Sequence, residues 1–212
     1  MSIASVIVVE DDEFLRALIT NALESADIRV LGSVSRAADA IELAKQKPTE
    51  VAVLDLYLGS GPTGVDIALA LRKIDPLIGL VFLTSFSDPR LLDANINLPN
   101  GALLLTKSKI SNLKQLVISV LQAKNSPLGA KAVESSVRGL SRQQVQIWRL
   151  ISLGFKNGEI AAQLKLTEKS VEHVIGRLIA ILQLGGDEKL NPRVQLVREF
   201  SKRAGQLIKE SN

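Results

Sequence analysis

Val51-Ala52-Val53-Leu54-Asp55-Leu56-Tyr57 is an aliphatic run broken by a single carboxylate. Four apolar residues in succession, bounded by Glu50 and Asp55, suit a strand covered on both faces rather than one with a wet side. Comparable runs lie on either side, at Ser5–Val9, Ile28–Leu31, Leu80–Leu83 and Ala102–Leu105. Between them, Glu13–Ala26, Arg36–Gln46, Gly64–Ile74, Pro89–Ile96 and Ile110–Gln122 carry apolar residues at helical spacing, as in Phe14, Leu15, Leu18, Ile19, Ala22 and Leu23. Five alternating strand and helix units predict a five-stranded, doubly wound parallel sheet with helices on both faces. In such a sheet the functional crevice lies beyond the carboxyl ends of the strands.

The residues at those ends are chemically specific. The first run delivers Glu10 and Asp11, the third Asp55, the fourth Thr84 and the fifth Lys107. Asp12 reads as the cap of the helix that follows it. Three carboxylates on one rim repel one another unless a cation holds them, and a hard divalent ion such as Mg²⁺ favours oxygen ligands. A carboxylate beside such an ion can attack a phosphoryl group, whose other oxygens then need donors. Asp55, Thr84 and Lys107 suit the nucleophile, hydroxyl and ammonium of aspartyl-phosphate chemistry.

On V-V-E-D-D-E-F (Val8–Phe14), V-L-D-L (Val53–Leu56), F-L-T-S (Phe82–Ser85) and L-T-K-S (Leu105–Ser108), this half resembles the receiver domains of two-component response regulators. Separations of 29 residues from Asp55 to Thr84 and 52 from Asp55 to Lys107 agree with that pattern. The resemblance implies a flavodoxin-like receiver in which Asp55 takes a phosphoryl group from a histidine kinase. Glu10, Asp11, Asp55 and the backbone carbonyl of Tyr57 would hold Mg²⁺, and Thr84 and Lys107 would contact the phosphate. The chain departs from the pattern at Leu104, where receivers usually carry an aromatic switch residue, and Gly101–Lys107 is one residue short. Ser108 stands where a proline is common.

Lys124-Asn-Ser-Pro-Leu-Gly129 interrupts the alternation, so the domains are set at 1–123 and 138–212 with a linker over 124–137. Charge changes across it: residues 1–125 hold 12 Lys/Arg against 14 Asp/Glu, and residues 126–212 hold 14 against 8. A basic second half favours phosphate backbones as partners. Beyond Leu140 the expected elements are all helical, at Arg142–Leu153, Gly158–Leu164, Glu168–Leu182 and Pro192–Ile208. Ser141 and Thr167 read as caps and Gly154 as a stop.

Ile160, Ala161 and Leu164 on one short helix face Val171, Val174, Ile175 and Leu178 on the next, the pattern of a helix-turn-helix. The outward positions of its second helix, with the cap, give Thr167, Lys169, Ser170, Glu172, His173, Gly176 and Arg177 as candidate contacts to double-stranded DNA. On Leu140-Ser141, Gly154, Asn157, Glu159-Ile160-Ala161, Leu164 and Glu168–Val171, this half resembles the LuxR-type helix-turn-helix of NarL/FixJ-class regulators. Gln144 and Gln146 stand where that family often has glutamates, and Val174 where it often has histidine. The stripe Val194, Val197, Phe200, Ala204, Leu207 and Ile208 suits either a dimer seam or, for its first half, packing onto its own domain.

The chain has no cysteine, which excludes disulfides and thiol chemistry. It has no apolar stretch of membrane-spanning length and no signal-peptide pattern, so a cytoplasmic protein without a membrane partner is expected. The combined reading is a DNA-binding transcriptional response regulator, switched by phosphorylation and working as a homodimer. It is not an enzyme beyond slow self-dephosphorylation, because Tyr57 stands where a phosphatase of the haloacid-dehalogenase type needs a second aspartate. The alternative is a phosphorylation-independent DNA-binding regulator whose receiver only dimerises.

Overall fold

The computed structural model describes residues 3–59, 61–86, 88–107, 113–129, 139–184 and 191–204. It divides into two compact units, Met1–Thr84 with Asn97–Val133 and Ser85–Ile96 with Glu134–Asn212.

The first unit is built on five parallel strands, β1 (Ala4–Val9), β2 (Ile28–Val34), β3 (Val51–Asp55), β4 (Gly79–Thr84) and β5 (Leu103–Thr106), in the order β2-β1-β3-β4-β5. Every residue of β3 and β4 is buried, which is why their sequences run apolar without alternation. Helices α1 (Glu13–Glu24) and α4 (Leu113–Asn125) cover one face, and α2 (Ala37–Gln46) and α3 (Gly64–Ile74) the other. Side chains alternate along β1, so Val6 and Val8 join Ile19, Leu23, Leu116 and Val120 in one apolar cluster while Ile7 and Val9 face the opposite layer.

Helix starts follow local chemistry. The Asp12 carboxylate accepts from the Leu15 amide at 2.8 Å, and Thr63 and Asp66 form a reciprocal capping box at α3. Arg72 donates to the carbonyls of Ile78, Asn100 and Pro127 at 3.0, 3.0 and 2.7 Å, tying three connections together. Helix α4 runs to Asn125, two residues into the segment read as a linker; residues 130–138 lie outside the described residues.

One expected element is corrected. Pro89–Ile96 is not a helix: only a 3₁₀ turn forms, at Pro89–Leu91. The Asp93 carboxylate accepts from the Asn95 amide at 2.9 Å, offering the backbone a turn in place of the next helical bond.

In the second unit, α5 (Arg142–Ser152), α6 (Asn157–Leu164), α7 (Glu168–Ile181) and α8 (Pro192–Arg203) surround an apolar cluster. Gln144, a departure from the family pattern, serves as the return half of a capping box, its side-chain oxygen accepting from the Ser141 amide at 2.7 Å. Gly154 ends the α5 connection at φ +89°, a conformation other side chains rarely adopt. Lys165 in left-handed conformation and the Thr167 cap make the tight turn between α6 and α7.

Most of the described part of the α8 stripe packs onto its own unit, the second of the two readings for its first half, and Ala204 extends that packing. Phe200 is fully buried in its own unit, edge-on to Trp148 at 5.4 Å, and Ala204 is 3% exposed there. Val197 packs half-buried on the same cluster, and the Trp148 indole donates to the Leu196 carbonyl at 2.9 Å. Only Val194 remains well exposed; Leu207 and Ile208 lie outside the described residues.

Candidate functional site

The rim of the first unit brings the expected residues together. Asp55 is the last residue of β3 and 4% exposed, Thr84 the last residue of β4 and 2% exposed, and Lys107 follows β5 directly. The Lys107 ammonium lies 2.8 Å from Asp55 Oδ2 and 2.9 Å from Glu10 Oε1. The Tyr57 amide donates to Asp55 Oδ1 at 3.3 Å, which turns the Leu56–Tyr57 backbone around the carboxylate while the phenol stays exposed. Gly64, at the start of α3, has no alternative: a Cβ there would lie 2.1 Å from the Asp55 carbonyl oxygen.

Carboxylate oxygens of Glu10, Asp11 and Asp55 lie within 4.8 Å of one another. One lysine cannot balance three acids. Burial first, and then the charge of Asp55, push the Glu10 carboxyl up to about 7 despite Lys107. Burial also holds Asp55 above the usual carboxylate range, only partly offset by Lys107. Burial works against the Lys107 ammonium, but the two acids beside it outweigh burial and raise its pKa. The same ammonium lies 2.9 Å from both oxygens of Glu10 and 2.8 Å from Asp55, so one cation is shared among them. Three carboxylates gathered around one shared ammonium are what a divalent cation would relieve, so the donor set fits one.

A stability test follows from Glu10. Between its ordinary 4.5 and about 7, the folded chain keeps a proton on Glu10 that the unfolded chain has released. The unfolded state then binds fewer protons, so stability falls as pH rises through this window and levels off above it. The raised Asp55 carboxyl acts with the same sign. Melting in chelator is expected to show that decline for the first unit, and added Mg²⁺ to reverse it by favouring the ionised acids. A melting temperature that climbs across the window in chelator would contradict the assignment.

Sequence reading missed Arg16. Its Nη1 donates to the carbonyls of Glu10 and Asp11 at 2.7 and 3.2 Å and so fixes the backbone that presents both acids. The only signal available was a lone cation one helical turn past Asp12. Leu104 is half-buried in β5, paired in register with Phe82 of β4.

In the second unit, Thr167, Lys169, Ser170, Glu172, His173, Gly176 and Arg177 are all exposed, while Val171, Val174 and Leu178 on the same helix are buried. The Thr167 and Ser170 hydroxyls lie 2.8 Å apart and Thr167 accepts from the Ser170 amide, so these two close the helix start. Lys169, Glu172, His173 and Arg177 form the outward polar face, with no neighbour within 4 Å of where a Gly176 side chain would begin. Arg193, also missed, donates to Asn157 Oδ1 at 2.7 Å and to the Phe155 carbonyl, bracing α6 from the start of α8. Among the described residues no helix is long and apolar enough to cross a membrane.

Comparison with known proteins agrees with both halves. Residues 6–118 match the response regulator receiver domain, and residues 138–191 match the luxR family of bacterial regulatory proteins. The transcriptional regulatory protein DesR of Bacillus subtilis is 24% identical over 85% of this chain and 90% of its own length. The DNA-binding transcriptional activator DevR/DosR of Mycobacterium tuberculosis is 28% identical over 84% and 87%. Among solved structures, the two-component response regulator RcsB in a DNA complex shares the fold with TM-score 0.53 at 19% identity, covering 93% of this chain and 98% of that one. The chain belongs to the response regulators, its receiver domain followed by a LuxR-type helix-turn-helix domain.

Proposed function

We propose that this chain is a transcriptional regulator switched by transfer of a phosphoryl group from a histidine kinase to Asp55. The observation that carries the reading is the buried Asp55 carboxylate held between Lys107 and the Tyr57 amide in a cluster with Glu10 and Asp11. An Asp55 oxygen would form the new P–O bond as the donor's P–N bond breaks, leaving histidine. The lysine that now neutralises Asp55 is placed to meet the charge that moves onto the phosphoryl oxygens, and the Thr84 hydroxyl is the second donor. Glu10, Asp11, Asp55 and the Tyr57 carbonyl would hold Mg²⁺, which when bound screens the two anionic partners from each other. The same arrangement supports slow self-dephosphorylation.

Phosphorylation would control dimerisation and binding of double-stranded DNA through α7. Solved relatives include RcsB dimers bound to two parallel DNAs. If beryllofluoride or acetyl phosphate leaves both assembly state and DNA affinity unchanged, the receiver only dimerises and the phosphorylation-independent reading stands.

The DNA face makes its own prediction. Lys169→Ala and Arg177→Ala should each weaken binding to all sequences alike and lower the salt slope by about 1, as loss of one phosphate contact does. Glu172→Ala should instead relax sequence preference, at a cost of about 1–3 kcal/mol on the preferred site. Salt titrations by fluorescence anisotropy separate the two; an unchanged slope in both basic variants would remove them from the interface.

A further inference from the structure

The turn between α6 and α7 opens on a left-handed residue. After α5 the chain places Gly154 in such a conformation, at φ +89°, but after α6 it places Lys165 there, at φ +55°. A Cβ in that conformation crowds the neighbouring carbonyl, so glycine or asparagine is the residue expected. The turn itself is well held. The Leu166 amide donates to the Ala161 carbonyl at 2.8 Å, its side chain packs half-buried on the apolar cluster, and the Thr167 cap follows. Lys165 is exposed between half-buried Leu164 and Leu166. Its charge is also unmatched locally. From Phe155 to Val171 the acids are Glu159 and Glu168 alone. Glu159 accepts from the Lys156 amide at 2.7 Å, and Glu168 lies over Gly158, its Oε1 2.5 Å from where a Cβ would begin. Both acids thus serve the start of α6, and among the described residues Lys165 forms no ion pair. The carbonyls at a helix end favour a cation somewhere in the last turn. They do not account for one at the single position that disfavours a side chain.

We propose that Lys165 is a DNA-phosphate contact, kept for its charge at a position whose backbone suits glycine. The proposal rests on the reading of α7 as the DNA-facing helix and adds a residue that lies outside that helix. In a helix-turn-helix the first helix crosses the DNA backbone, and the second enters the major groove with its N-terminal residues nearest the bases. Lys165 stands where α6 ends, two residues before the Thr167 cap of α7, and so at the passage from backbone to groove. A point charge on a flexible stem suits a phosphate oxygen, and a contact of this kind fixes register without reading sequence. The turn would thus give up some local stability for affinity.

Lys165→Gly tests this because it removes the charge and relieves the backbone together, so affinity and stability should part. The full-length protein, with beryllofluoride and Mg²⁺ present, is titrated by fluorescence anisotropy against a fluorescein-labelled duplex of mixed sequence. Melting of the second unit is followed on Trp148, the only tryptophan of the chain and fully buried in that unit. Lys165→Gly is expected to bind several-fold more weakly at low salt and to melt at an equal or higher temperature. Its deficit should shrink about three- to fourfold between roughly 50 and 200 mM salt, as loss of one phosphate contact requires. Lys165→Arg, which keeps the charge, should bind like the wild type. Wild-type affinity and salt dependence in Lys165→Gly overturn the contact, and so does a Lys165→Arg chain as weak as Lys165→Gly. A Lys165→Gly chain that binds weakly but also melts lower marks a residue that only shapes the turn, and overturns it too. Lys169→Ala and Arg177→Ala are run beside these. If they weaken binding and Lys165→Gly does not, the α7 reading stands and this one falls. If the wild type fails to bind, or neither of those two variants weakens binding, the α7 reading falls and takes this one with it.

Discussion

Acetyl phosphate is expected to place one phosphoryl group on the chain, on Asp55, and Asp55→Asn to lower the labelling rate roughly a thousandfold or more, the scale of removing a nucleophile. Position decides among the three acids. Glu10 is fully buried, engaged by Lys107 and pushed up to about 7, so near neutrality much of it is protonated. Asp11 is exposed, and among the described residues no hydrogen bond to its side chain orients it toward the lysine. Asp55 has one oxygen on Lys107 and the other on the Tyr57 amide and, unlike the fully buried Glu10, keeps 4% exposure at the end of its strand. The same substitution removes a charge from a crowded site, and the charge of Asp55 is one cause of the raised Glu10. Asparagine should therefore lower the Glu10 pKa and leave the melting temperature equal or higher. Loss of labelling with stability retained marks a chemical role. A label that persists on the Asp55→Asn chain, mapped by mass spectrometry to another residue, would sink the assignment.

Much of this site was legible because a parallel sheet buries its strands on both faces and gathers their carboxyl ends on one rim. An apolar run ending in Asp55 thus fixes the burial of the run and the placement of the acid together. What stayed illegible has a common cause: periodicity states that a face is buried, and not against what. Leu91 and Ala94 have helical spacing and are buried, yet they lie in a turn and pack into the cluster around Trp148. Phe200 and Ala204 show the same ambiguity on α8. Arg16 escaped for another reason, since its partners are main-chain carbonyls, which every residue has. Gln144 shows the converse: it departs from a family letter while keeping the physical role, because an amide oxygen accepts from the Ser141 amide as a carboxylate would.

Phe200→Ala is expected to destabilise the helix-turn-helix unit by about 3–5 kcal/mol, the usual cost of emptying a buried aromatic site. That is a large share of the 5–15 kcal/mol that holds a typical domain together. The ring is fully buried and edge-on to Trp148, whose own indole is bonded to the Leu196 carbonyl, so the cavity opens at the junction of α5 and α8. Arg203, 5.8 Å above the Trp148 ring and paired with Glu199 at 2.7 Å, leaves with the same turn when the chain is cut after Glu199. Truncation at that point should thus unfold the DNA-binding unit, with early loss of Trp148 burial on heating, while the receiver still labels on Asp55. A seam between two copies predicts the opposite pattern, with Trp148 melting unchanged and a smaller species in sedimentation. Tryptophan-monitored melts and sedimentation velocity on the truncated chain therefore separate a helix that completes its own domain from one that pairs two chains.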